Sequence, residues 1–215
     1  PRSTPPTNLS ATSAASPGPI AAADRPVVVT GATGFIGQRL VAELARRGHP
    51  VRASSRTSTT WPSPVQSPDG PDAGARVAVT PEAWLPLVDG ASAVIHLAAI
   101  AHQPLDDGDP ASRRAGRRAL RHVNVRMTLA LARAAARAGV GTFVFVSSIK
   151  AVGDGGGDAR ALTEDDMPSE ADCYGLAKRA AERQLDRFAA TTPMSILIVR
   201  PPLVFGPGVK ANFAR

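Results

Sequence analysis

One cysteine, Cys173, stands in the 215 residues, so no internal disulfide can form and thiolates cannot build a zinc site or metal cluster. A reducing, cytoplasmic setting is the simplest expectation from that usage. Long apolar runs are missing as well. The longest, Ala91 to Ala101, is interrupted by Ser92 and His96 and falls short of the ~20 residues a membrane helix needs. Aromatic residues make up 4% of the chain, tyrosine occurs once and lysine three times. Basic residues outnumber acidic ones by 25 to 18, but 22 of the 25 are arginines spread along an alanine-rich chain, which reads as compositional bias. One local cluster stands apart, because Arg113, Arg114, Arg117, Arg118 and Arg121 fall on a single helix face. With no aromatic side chains interleaved to stack on bases, a solvated face fits them better than a nucleic-acid surface.

What is present is a globular balance, 43% hydrophobic and 20% charged, enough for one domain with some unfolded margin. Residues 1–25 are rich in Pro, Ser, Thr and Ala and carry no apolar periodicity, so a disordered leader is expected there and not a secretory signal. From Arg25 onward, short β-branched runs alternate with alanine-rich helical stretches, the pattern of β-α-β units on a doubly wound parallel sheet, an α/β fold of Rossmann type. Six strands are expected, at Val27 to Thr30, Val51 to Ser54, Val77 to Val79, Ala93 to Leu97, Thr142 to Ser147 and Ser195 to Val199. The alternation of Phe143 and Phe145 with Val144 and Val146 predicts a strand buried on both faces. Helices are expected at Ile36 to Arg47, Pro81 to Val88, Ala115 to Ala138 and Tyr174 to Ala189. Between Thr57 and Gly74 four prolines and two glycines forbid a helix.

The first strand runs straight into Gly31-x-x-Gly34-x-x-Gly37 and then into an amphipathic helix. In that context Gly31 takes the tight turn, Gly34 leaves room for a pyrophosphate against the backbone, and Gly37 lets helix and strand pack closely. An anion would sit at the helix N-terminus, where unpaired N–H groups and the dipole favour it. The residues after the second strand decide between dinucleotides. Ser55 and Arg56 stand where an acidic residue would hold the ribose 2′-hydroxyl of NAD, so NADP is at least tolerated and the choice stays open.

The only tyrosine, Tyr174, precedes Lys178 by four residues, which puts both on one helix face one turn apart. A neighbouring ammonium is expected to lower the phenol pKa and fit it for acid–base work. The strand ending in Ser147 and Ser148 delivers a hydroxyl to the carboxyl edge of the sheet, where open α/β folds bind ligands. His96 and His102 have no partner at metal-ligand spacing, and Cys173 has no paired base, so no metal or thiol chemistry is expected.

Taken together, TGATGFIG, AVIHLAA at 93–99, HVNV at 122–125, FVFVSSIKAVG at 143–153, YGLAK and RPPLVFGPGVKANF at 200–213 resemble the extended short-chain dehydrogenases/reductases, the NAD-dependent epimerase/dehydratase family. The last segments look most like bacterial nucleotide-sugar enzymes related to UDP-glucose 4-epimerase. The resemblance implies a catalytic Ser148, Tyr174 and Lys178 supported by Asn124. It also implies cofactor contacts from Gly31, Gly34, Phe35, Ile36, Gly37, Ser55, Arg56, Ala98, Ala99 and Pro201, and substrate contacts from Lys210 and Asn212. Departures from the family pattern fall at Thr80, Met127, Val152 and Cys173 and remove no catalytic group. The same resemblance implies a cofactor domain over 26–200, an incomplete substrate lobe beginning at 201–215, a UDP-linked sugar substrate and a homodimer. Two other readings stand beside it: an NADP-dependent reductase of a small carbonyl compound, and a non-catalytic cofactor-binding fragment.

Overall fold

The computed structural model describes residues 25–55, 59–68, 71, 79–101, 109–153 and 161–209. Nearly all of the expected leader, together with Arg56, Val77, His102, Lys210 and Asn212, lies outside the described residues. Strand β1 (Val27–Thr30) is a β-branched run with three of its four residues buried. It leads into α1 (Phe35–Arg46), whose Gly37 and Val41 are buried four residues apart while its arginines face solvent. Gly48, at φ +80°, ends that helix in the left-handed conformation, and the chain turns into β2 (Val51–Ser54).

A 3-10 turn over Pro81–Trp84 and the short α2 (Leu85–Val88) precede β3 (Ala93–His96). Helix α3 (Pro110–Arg121) follows, then a π-helical turn (His122–Met127), α4 (Thr128–Arg137) and β4 (Thr142–Val146). Beyond a 3-10 turn over Ile149–Ala151 come α5 (Cys173–Ala189) and β5 (Ser195–Val199). The five strands are all parallel in the order β2-β1-β3-β4-β5. The chain therefore leaves β1 toward one edge and returns to β3 on the other side, and the carboxyl ends of β1 and β3 flank the point where an open α/β sheet has its crevice.

The sheet separates two apolar layers. Val29, Ala32, Val41, Val51 and Ala53 pack with Leu40 and Leu44 of α1 on one face. The larger layer joins Val28, Val94, Phe143 and Phe145 to α2, α4 and α5 through Leu87, Leu131 and Leu185. No helix among the described residues is long and apolar enough to cross a membrane.

Three expectations need correction. The helix expected to start at Ala115 starts at Pro110, because the Asp109 carboxylate caps it by accepting from the Ala111 and Ser112 N–H groups and Pro110 takes the first turn. Val79 enters the turn before Pro81 instead of a strand. Strand β4 is fully buried on one face only: Phe143 and Phe145 are inaccessible, whereas Thr142, Val144 and Val146 are half-buried. The five arginines of α3 are exposed, as a solvated face requires.

Candidate active site

A cavity of about 660 Å³ opens at the carboxyl ends of β1, β3 and β4. Its floor is the glycine turn, with Gly31, Gly34, Phe35, Ile36 and Gly37 all facing it. Two of its glycines admit no side chain. Gly31 has φ +70°, and a Cβ there would meet the Ala98 nitrogen at 2.7 Å; a Cβ on Gly37 would meet the Gly31 carbonyl oxygen at 2.2 Å. Gly34 is the N-cap of α1 and supplies no side-chain cap, so the first-turn N–H groups are left for another acceptor. This built anion cradle fits the pyrophosphate of a dinucleotide. Ala99 lines the cavity, while Ala98 packs behind the turn. Ser55 follows β2 and does not line the cavity.

The opposite wall carries Ser148, Tyr174, Lys178 and Pro201. Two elements bring them together. The 3-10 turn after β4 has Ser148 as its N-cap, with Ser148 Oγ accepting from the Lys150 N–H at 3.2 Å. Helix α5 starts at the Asp172 cap, whose carboxylate accepts from Gly175 N–H at 2.8 Å. The two meet so closely at Gly175 that a Cβ there would stand 2.3 Å from the Lys150 carbonyl oxygen, which explains the glycine in YGLAK. The Lys150 ammonium reaches the Asp172 carboxylate at 3.4 Å and ties the serine turn to the tyrosine helix. Pro201 pins the same turn from the β5 side, its carbonyl accepting from Ile149 N–H at 3.0 Å.

Ser148 stands beside Tyr174 on this wall, whereas Ser147 points inward, buried and facing Glu182 without a hydrogen bond of ordinary geometry. Burial pushes the Tyr174 phenol above its ordinary value, and the Asp172 carboxylate adds to that; the nearby Ser148 hydroxyl and the Lys150 ammonium pull it back. The cation that lowers Tyr174 is thus Lys150, not Lys178 as the spacing predicted. The reason is geometric. Lys178 is 2% exposed, donates to the Val146 carbonyl at 2.8 Å, and holds its ammonium 4.6 Å from the Phe145 ring centroid and 6.0 Å from that of Tyr174.

Burial lowers the Lys178 pKa to about 8, against the opposing pull of Glu182 one turn along α5. Glu182 is itself enclosed: its carboxylate accepts from Arg200 at 2.9 and 3.0 Å and from Arg179 at 3.3 Å. A lysine titrating at about 8 when folded and near 10.5 when unfolded makes the unfolded chain the greater proton binder between those values. Stability of the native chain relative to a Lys178→Met variant therefore rises as pH increases from 8 toward 10.5, by at most ~1.4 kcal/mol per pH unit. Denaturant unfolding of both proteins at pH 7.5 and 9.5 measures it; a constant difference would contradict the buried ammonium.

Asn124 is fully buried in the π-helical turn and does not touch the cavity. Its side chain brackets Ile100, accepting from the amide at 2.8 Å and donating to the carbonyl at 2.9 Å, and so fixes the chain leaving β3. Sequence reasoning missed Lys150 and Arg39. Arg39 lies over the Phe35 ring at 4.3 Å and donates to the Pro207 carbonyl, tying α1 to the 201–209 segment at the cavity rim. Arg39 lies outside the recognised motifs, whereas Lys150 stands inside FVFVSSIKAVG and is one of only three lysines, a signal that could have drawn attention to it.

The fold and this wall define a dinucleotide-binding domain with a tyrosine–lysine edge. The family model for the NAD dependent epimerase/dehydratase family matches residues 27–215, and the chain belongs to that family. It is 36% identical to UDP-glucose 4-epimerase of Vibrio cholerae over 192 residues, covering 87% of this chain and 54% of that protein. It is 32% identical to GDP-6-deoxy-D-mannose reductase of Pseudomonas aeruginosa over 193 residues, covering 86% and 54%. Among solved structures, MoeE5 in complex with UDP-glucose and NAD superposes with a TM-score of 0.67 at 33% identity, over 86% of this chain and 56% of that one. The chain spans about half the length of these relatives.

Proposed function

We propose that the protein carrying this chain uses NAD to oxidise and re-reduce a carbinol carbon of a nucleotide-sugar, with a UDP-linked sugar as substrate, in an epimerase or dehydratase reaction. The observation that carries this reading is the single cavity wall-to-wall between the glycine cradle and Tyr174. Two of its relatives, UDP-glucose 4-epimerase of Vibrio cholerae and MoeE5 with bound UDP-glucose, are named for that nucleotide-sugar, which supports the substrate class. Gly31, Gly34 and Gly37 with the first turn of α1 would hold the pyrophosphate. Bound NAD supplies the hydride acceptor and, on return, the donor. The Tyr174 hydroxyl, kept protonated by burial in the free chain, would give its proton to a ketone oxygen in the reductive direction, and the phenolate that this leaves would take the carbinol proton in the oxidative one. Ser148, on the same cavity wall as that phenol, would hold the substrate oxygen beside it. Lys178, charged below about pH 8 and lining the same cavity, would orient the nicotinamide ribose. Homodimer formation through the outer faces of α3, α4 and α5 belongs to the same proposal.

Calorimetric titration with NAD and NADP, repeated with UDP or UDP-glucose present, tests it. Dinucleotide binding strengthened by UDP is expected; binding indifferent to UDP removes the nucleotide-sugar. A second reading, an NADP-dependent carbonyl reductase, has its own observation: β2 ends in Ser54 and Ser55, with no carboxylate to select the 2′-hydroxyl. Tighter binding of NADP with no response to UDP would favour it.

A further inference from the structure

The proposed chemistry makes no use of His96, yet it is buried with both ring nitrogens hydrogen-bonded. It closes β3 and is 1% exposed, as are its neighbours Thr128 at 1% and Thr30 at 2%. Its Nδ1 lies 2.6 Å from the Thr30 hydroxyl and its Nε2 3.0 Å from the Thr128 hydroxyl. The Thr128 hydroxyl in turn donates to the Asn124 carbonyl at 3.0 Å. A carbonyl only accepts, so Thr128 has spent its one proton there and must accept from His96. Nε2 therefore carries the hydrogen. Burial and the nearby Lys178 ammonium hold the imidazole neutral, its pKa lowered to about 3, which leaves Nδ1 bare and makes Thr30 its donor. The chain of bonds runs one way, from Thr30 through His96 and Thr128 to Asn124.

Each end of that chain belongs to the site. Thr30 is the last residue before the glycine turn, and its carbonyl accepts from Leu97 N–H at 3.1 Å. Asn124 sits in a π-helical turn, a local over-wide winding that recurs at functional sites, and brackets Ile100 on the segment leaving β3. The ring of His96 is also stacked on Phe145, with centroids 6.0 Å apart, and the same Phe145 ring contacts the Lys178 ammonium.

We propose that His96 is a positioning residue, a neutral imidazole protonated on Nε2 that couples the cofactor turn after β1 to the π-helical turn holding the β3 exit. The proposal rests on the dinucleotide reading of the cavity. Among the described residues Lys178 is the charged group acting on this ring, from α5; from β1, β4 and the π-helical turn it meets the neutral Thr30, Phe143, Phe145 and Thr128.

Two measurements test it. Nitrogen NMR of the histidine rings, with His96 assigned by its loss in His96→Gln, is expected to show the Nε2–H tautomer unchanged between pH 8 and pH 5. An Nδ1–H tautomer, or titration in that range, overturns the proposal. Separately, Thr30→Val and Thr128→Val are each expected to weaken NAD binding by about three- to tenfold, the double variant no more than the worse single one, and Thr30→Ser to restore affinity. Single-variant effects that multiply overturn the coupling through His96. A native chain that binds no NAD overturns the reading of the cavity instead, and the tautomer still reports on the bond chain by itself.

Discussion

Replacing Tyr174 with phenylalanine is expected to lower turnover about 10²–10⁴-fold in the protein that carries this chain, the range a positioned acid–base group contributes, while NAD affinity changes by no more than about twofold. The substitution removes one oxygen and leaves the ring where it packs, against the larger apolar layer beside Lys178. Nothing in the glycine cradle depends on that hydroxyl, so binding and chemistry should separate. Ser148→Ala should fall between the two, because it takes away the hydroxyl beside the phenol without taking away the proton carrier. Steady-state kinetics alongside calorimetry measure both. Unchanged turnover in the phenylalanine variant would end the assignment of Tyr174.

Removing the Glu182 carboxylate, as in Glu182→Ala, is expected to cost about 3–5 kcal/mol of folding stability, the usual penalty for breaking a buried ion pair from one side. Glu182 is 1% exposed and holds Arg200 through both carboxylate oxygens, with Arg179 as a third contact. Without it the Arg200 guanidinium, which anchors the start of the 200–209 segment to α5, keeps only its bond to the Glu164 carbonyl. The Lys178 ammonium also loses the carboxylate that supports its charge, so its pKa moves further down and the lysine discharges at a lower pH than in the native chain. Urea unfolding gives the stability loss, and Glu182→Gln, which keeps the volume, should lose less. A stable alanine variant would show that Glu182 is dispensable to the α5–β5 contact.

The sheet was legible wherever a β-branched run ended at a turn: all five strands fall within a residue of expectation, and β1, β2 and β4 are bounded by glycine, proline or serine. The glycine turn was legible for the same reason, since Gly31 and Gly37 make backbone contacts with Ala98 and Gly31 that no side chain could survive. The helix around Asn124 was less so. Its true start lay in Asp109-Pro110, a cap-and-proline pair that the arginine-rich stretch behind it obscured, and its π-helical turn has no sequence signature. Residue identity alone also misjudged the electrostatics of Tyr174. Spacing along a helix puts Lys178 on the same face, but which cation acts on the phenol depends on where each ammonium is anchored, and Lys178 is anchored on the Val146 carbonyl. Lys150 reaches the site from another element, through tertiary contact with Asp172, and no periodicity announces it.

Because Tyr174 is the only tyrosine in the chain, isotope-labelled tyrosine yields one ring resonance that reports on the wall facing the glycine cradle. Following that resonance while NAD is added tests most directly whether cradle and tyrosine belong to one site. A saturable shift, with the same dissociation constant as calorimetry and a phenol that titrates above 10.0 in the free chain, is the predicted result. NAD binding that leaves the resonance untouched would contradict the account.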